Sequence, residues 1–197
     1  MIKNILVLCP HTDDEIHCFG SLVKFKEQGA IIDIIAFSFP KDIPELQNEF
    51  IKSCKLLNAN KFIYNFELRK LKQNRQEILE ILVEFNKKEY DLILCPSSFD
   101  THQDHEVINR ECFRAFKYTT IWGYQVAHNC MEFKQGIFVI LNKKQLDLKI
   151  EAIKCYQTQK NRMYFNNGFY QYMANMLGVQ IKQQYAEVFE NIRTIIK

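Results

Sequence analysis

The 197 residues contain no Cys-x-x-Cys pair, no block of like charge, and no apolar run near the roughly 20 residues needed to cross a bilayer. The seven cysteines, at 9, 18, 54, 95, 112, 130 and 155, are odd in number and scattered, which argues against a disulfide framework and a structural zinc cluster alike. Most stand in apolar company, as in LVLCP and LILCP, where a free thiol packs as a small hydrophobe. Cys18 differs in lying close after an acidic turn. A net charge of +3, with the lysines dispersed along helical stretches, gives nucleic acid binding no support. The opening MIKNILVLCPHTDDE breaks into acids where a signal peptide needs small residues, so the expected address is the cytoplasm. Linkers, low-complexity tracts and solenoid-period repeats are also missing, and residues 1–197 read as one domain.

What is present is ordinary globular composition, 47% hydrophobic and 25% charged, in a chain long enough to bury roughly 70% of its unfolded surface. Lys3 to Cys9 is a short continuous apolar run, the pattern of a strand buried on both faces of a parallel sheet. Helical spacing follows over 16–28 with Gly29 as its stop, then a strand over 31–39, a helix over 44–57 and a strand over 61–65. The alternation continues with a helix over 74–87, a buried strand over 91–95 and a helix over 106–116. Strands over 121–126, 136–141 and 185–189 are expected, with a capped helix from Asn142 through Tyr156 and loop or short helix over 156–172. This pattern predicts an α/β fold: a three-layer sandwich around a mostly parallel sheet in the order 3-2-1-4-5. Ligand sites in such sheets form beyond the carboxyl ends of the strands at the switch point, here strands one and four.

Both of those strands end in Cys-Pro, and both are followed by a polar cluster: PHTDDE (10–15) after the first and THQDH (101–105) after the fourth. One imidazole and three carboxylates within five residues concentrate negative charge that repels itself unless a cation or a helix N-terminus sits among them. Alone, the acids read as an N-cap and the later histidines as a surface turn; together, after adjacent strands, they read as two halves of a metal site. His11 with Asp14 and His102 with His105 are both i, i+3 pairs, and three of these four side chains can make the N,N,O set of an open catalytic zinc site. Such an ion acidifies water, and Asp13 can act as general base and then acid. His102 can donate to a developing oxyanion, with Asp104 fixing its tautomer. His17, on the first helix, reads as packed or exposed and not as a ligand.

The two clusters resemble the (A/P)HPDDE and HxDH signatures of the PIG-L or LmbE-like zinc-dependent N-acetylglucosaminyl deacetylases. RQEILEILVEF, KIEAIKCYQTQ and GVQIKQQYAEVFE are similar to further family segments, so the resemblance spans nearly the whole chain. It implies a Rossmann-like fold, metal ligation by His11, Asp14 and His105, Asp13 as general base, His102 as the polarising or protonating residue, and Asp104 as a support for the histidines. Thr12 stands where the family usually has proline, which implies a slightly less rigid loop. Zinc is the implied metal, with iron or cobalt also suited to the donor set.

The resemblance further implies hydrolysis of an N-acetyl group on an amino sugar, carried by a glycan, a nucleotide sugar or another glycoconjugate precursor. Arg69, after strand three, is placed to meet a substrate phosphate or carboxylate. His128 and Asn129 are candidates for the pocket rim. A non-catalytic sugar-binding protein on the same fold is the alternative. A magnesium-binding receiver domain is disfavoured, because strand three ends Tyr64-Asn65-Phe66 without an aspartate. Self-association into a homo-oligomer is left open.

Overall fold

The computed structural model describes residues 2–165 and 168–196. Its seven strands are β1 (Asn4–His11), β2 (Ile31–Ser38), β3 (Asn60–Phe66), β4 (Leu92–Pro96), β5 (Thr120–Tyr124), β6 (Ile137–Leu141) and β7 (Tyr185–Arg193). The helices are α1 (Phe19–Glu27), α2 (Glu45–Leu56), α3 (Arg75–Asn86), α4 (Gln103–Ala115), α5 (Lys143–Lys154) and α6 (Phe169–Gln180).

Continuous apolar runs put alternate residues of one strand into two different cores. Ile5, Val7 and Cys9 of β1 pack with Phe19 and Leu22 of α1, Phe50 of α2 and Ala152 of α5. Leu6 and Leu8 face the other way, toward Ile78 and Leu82 of α3 and Ile108 of α4. β4 divides likewise, Leu92 and Leu94 to the first side, Ile93 and Cys95 to the second. Helices therefore cover both faces of the sheet, the three-layer arrangement expected of strands without a polar side.

The strands lie in the order β3-β2-β1-β4-β5-β7-β6. β1 to β5 are mutually parallel, and β7 adds antiparallel to β5, with β6 antiparallel to β7 at the edge. β1 and β4 are neighbours, Ile5 opposite Leu92 and Val7 opposite Leu94, so the two polar clusters leave the sheet side by side. No helix among the described residues is long and apolar enough to cross a membrane.

Three local expectations are corrected. Residues 14–18 form a 3-10 turn, and α1 begins only at Phe19. α4 begins at Gln103 and not at Glu106, which makes His102 its N-cap and puts His105 in its first turn. The segment expected as loop and short helix runs instead through two 3-10 turns into the twelve-residue α6. Asn166 and Asn167 within that segment lie outside the described residues.

Candidate metal centre and its cleft

β1 ends at His11, and the chain turns at once. Asp13 occupies the N-cap of the 3-10 turn but makes no side-chain cap bond. Asp14 instead folds back, its Oδ2 accepting the His11 backbone N–H at 2.8 Å. The capping explanation for the acids therefore fails at both positions. Glu15 points into the protein, fully buried, where the hydroxyls of Ser53 and Tyr156 donate to its Oε1. Burial pushes its carboxyl up to about 8 against the pull of those two donors. From the same side Lys149 Nζ donates to the His17 carbonyl at 3.1 Å and pairs with the buried Glu187, whose carboxylate also takes the Ser21 N–H of α1 at 2.7 Å. The turn is thus fixed to α1, α2, α5 and β7 by buried polar contacts.

The other half of the site comes from the loop after β4. Asp100 accepts the His102 N–H through Oδ1 at 2.9 Å and meets His105 Nδ1 through Oδ2 at 2.7 Å. Asp104, sealed from solvent, reaches across to His11 Nε2 at 3.1 Å and accepts the backbone N–H of Arg69 at 2.7 Å and of Leu71 at 3.2 Å. His11 and His105 thereby each have one ring nitrogen held by a buried carboxylate, which leaves the lone pair of the other free.

Those free nitrogens converge. His11 Nδ1 lies 3.3 Å from His105 Nε2, and Asp14 Oδ2 lies 3.5 Å from both. A tetrahedral zinc with bonds of about 2.0–2.1 Å separates its ligand atoms by about 3.3–3.4 Å. The triangle has the dimensions of one face of that tetrahedron. Burial pushes the Asp14 carboxyl well above its usual range, although the neighbouring His11 pulls it down, so a bound cation is what would keep it ionised. The donor set and its spacing fit a divalent transition metal. His102 stands close by, its ring 4.9 Å from that of His11, and the nitrogens of His11, His102 and His105 all fall within 4.8 Å of one another.

His102 Nδ1 accepts the Asp104 backbone N–H at 3.2 Å, so its neutral ring carries the proton on Nε2. Desolvation, reinforced by His11 and His105, brings its pKa down to about 4. The Asp104 carboxylate meets His11, and only the reading that its side chain fixes the His102 tautomer is corrected, since the Asp104 amide is what meets His102 Nδ1.

The centre opens into a cleft of about 250 Å³, lined by His11, Asp13, Asp14, His102 and His105 together with Arg69, His128 and Asn129. All the residues expected at the site face this cleft except Asp104, which lies behind it. His128 stacks on Tyr164 at 4.1 Å, and burial lowers its pKa. The Asn129 carbonyl accepts the Thr101 hydroxyl at 2.9 Å and so ties the loop after β5 to the loop after β4. His17, expected to be a plain helix residue, also lines the cleft, stacked 6.0 Å from Tyr124. Cys18 is buried beneath the turn with its thiol pushed well up by desolvation.

Sequence reasoning missed Asp100, Arg162 and Tyr164. Asp100 stands two residues before His102, but nothing in the string separates an acid that holds a histidine ring from a loop acid. Arg162 and Tyr164 lie in a polar, aromatic segment that reads equally well as packing.

The family model described as PIG-L, GlcNAc-PI de-N-acetylase, matches residues 6–116, which include both polar clusters. Solved structures share the whole fold at low identity. A conserved protein from Thermus thermophilus superposes with a TM-score of 0.83 at 18% identity, covering 100% of this chain and 97% of that one. The 4-carboxy-2-hydroxymuconate hydratase GalB from Pseudomonas putida gives 0.82 at 16% identity, covering 100% and 98%. The N,N'-diacetylchitobiose deacetylase from Pyrococcus horikoshii gives 0.75 at 16% identity, covering 96% and 83%. No curated protein matches the sequence.

Proposed function

The chain belongs to the PIG-L, GlcNAc-PI de-N-acetylase, family, and from that premise we propose that it is a metal-dependent hydrolase removing the acetyl group from an N-acetylated amino sugar. A fold shared by a hydratase and a deacetylase does not select a reaction, so the reading rests on the site. The observation that carries it is the triangle of His11 Nδ1, Asp14 Oδ2 and His105 Nε2, backed by Asp104 and Asp100 and open on one side to a cleft.

His11, Asp14 and His105 would hold the metal. Zinc suits two imidazoles and a carboxylate, as do iron and cobalt. When bound there, such an ion supplies Lewis acidity to the acetamide carbonyl and to the attacking water. The remaining steps belong to side chains. Asp13, on the cleft wall and not engaged in capping, accepts a proton from water as its oxygen adds to the acetyl carbon. His102 donates its Nε2–H to the oxygen that gains negative charge, and the Asp104 amide keeps that nitrogen protonated. The carbon–nitrogen bond then breaks, and Asp13 returns the proton to the departing amine. Acetate and a free amino sugar result.

Acetate release from a panel of N-acetylated sugars, free, nucleotide-linked and lipid-linked, tests the reading. Asp13→Asn should keep its metal and lose at least about a hundredfold in turnover, the scale of general base catalysis. Acetate release by Asp13→Asn at the wild-type rate would remove Asp13 from that role. Ligand binding with no acetate release from any member of the panel would favour the sugar-binding alternative.

A further inference from the structure

The cleft is lined by two arginines that the chemistry above does not use. Arg69 reaches it from the loop after β3, its backbone held at φ +65 while its N–H is bonded to Asp104 at 2.7 Å. That left-handed backbone costs a non-glycine residue energy, and the buried carboxylate is what fixes it. Arg162 reaches the cleft from the 3-10 turns after α5. Its N–H bonds the Gln159 carbonyl at 2.9 Å and its carbonyl takes the Phe165 N–H at 2.9 Å. The guanidinium meets the Tyr164 hydroxyl at 2.5 Å, and Tyr164 is itself held flat against His128. Its nearest carboxylate is Asp13, at 3.9 Å, and the Arg162 side chain remains 53% exposed.

At 3.9 Å and with Arg162 half exposed, the Arg162–Asp13 pair is loose, which leaves the guanidinium open to an anion on the substrate. We propose that Arg162, positioned by Tyr164 and acting with Arg69, reads an anionic substituent, a phosphate or a carboxylate, on the N-acetylated sugar. Planar guanidinium donors suit such oxyanions. Arg162 is then a specificity-determining residue, and an anion in the cleft competes with Asp13 for it. This inference rests on the deacetylase reading but is separable from it by binding.

The test uses the purified full chain and four probes: N-acetylglucosamine, its 1-phosphate, its 6-phosphate and N-acetylmuramic acid. Calorimetric Kd and, where acetate is released, kcat/KM are compared for wild type, Arg162→Gln and Arg162→Lys. At least one phosphate or carboxylate probe should bind more tightly than the neutral sugar. Arg162→Gln should shrink that preference about tenfold or more, the worth of one charge-assisted hydrogen bond, and Arg162→Lys should shrink it less. The probe preferred by wild type identifies which anion, and at which ring position, is read. Equal affinity for neutral and anionic probes in wild type, or an unchanged preference in Arg162→Gln, overturns the proposal. A preference that depends on Arg162, with no acetate released from any probe, upholds the anion clamp and tells instead against the deacetylase reading.

Discussion

Asp100 holds the His105 ring from behind at 2.7 Å while also taking the backbone N–H of His102, so one buried carboxylate orients one imidazole and anchors the chain that carries the other. Carboxylates placed in this way raise ligand basicity and fix the ring, and losing one costs about 10–100-fold in metal affinity. Asp100→Asn should therefore weaken zinc binding on that scale, read by competition with a chromophoric chelator, while far-UV circular dichroism stays unchanged. The sequence displays His11, Asp13, Asp14, His102 and His105 because their residue types are dense and follow two similar strands. It cannot display which acid reaches which imidazole. Asp104, adjacent to His105 in the chain, serves His11 across 93 positions, and Asp100, five positions from His105, serves His105. Thr12 is a further case: it is fully buried in the turn, and its hydroxyl has no partner among the described residues.

At the level of elements, legibility followed contrast. Helices α3 and α5 carry apolar faces among charges, and α5 starts on the expected Asn142–Gln145 capping box. α6 has no such contrast: FYQYMANMLGVQ holds no charged residue. Tyr170, Ala174 and Leu177 are buried, but Tyr172, Met176 and Val179 lie exposed on the same helix, so its period is masked. The start of α4 was hidden for a related reason, since its N-cap is His102 and not one of the usual Ser, Thr, Asp or Asn. α6 is locked by Gly178, where an added Cβ would sit 2.7 Å from the Gln183 carbonyl oxygen in the turn leading to β7. Gly178→Ala should thus destabilise the protein by about 1–3 kcal/mol through backbone overpacking, more than offsetting the roughly 1 kcal/mol that alanine gains in helix propensity. The denaturant midpoint checks this; a stabilised variant would mean that the turn moves aside freely.

Across the whole molecule, the order β3-β2-β1-β4-β5 is what turns two polar strings into one site, and it was legible because the β-α alternation and right-handed crossovers leave few alternatives. The β7-β6 pair that extends the sheet was legible only as strands, since antiparallel addition at an edge leaves no mark of partner or direction in the string. Remote from the site, Asp33 of β2 joins neighbouring parts of the sheet, taking bonds from Asn60 of β3 at 2.7 Å, Tyr90 at 2.5 Å and Lys88 at 2.9 Å. Burial acts to raise its pKa, but those three donors outweigh burial and hold it below its ordinary 3.8. A carboxyl lowered by folding adds stability above its unfolded pKa of about 3.9, and that stability is lost as pH falls through the folded value. Denaturant midpoints measured from about pH 5 downward should fall less steeply in Asp33→Asn than in wild type. The central claim is that His11, Asp14 and His105 form a working metal centre, and elemental analysis of purified protein tests it most directly. Wild type should carry one divalent transition-metal ion per chain and a folded His105→Ala variant close to none; a His105→Ala protein with the full wild-type metal content would contradict the account.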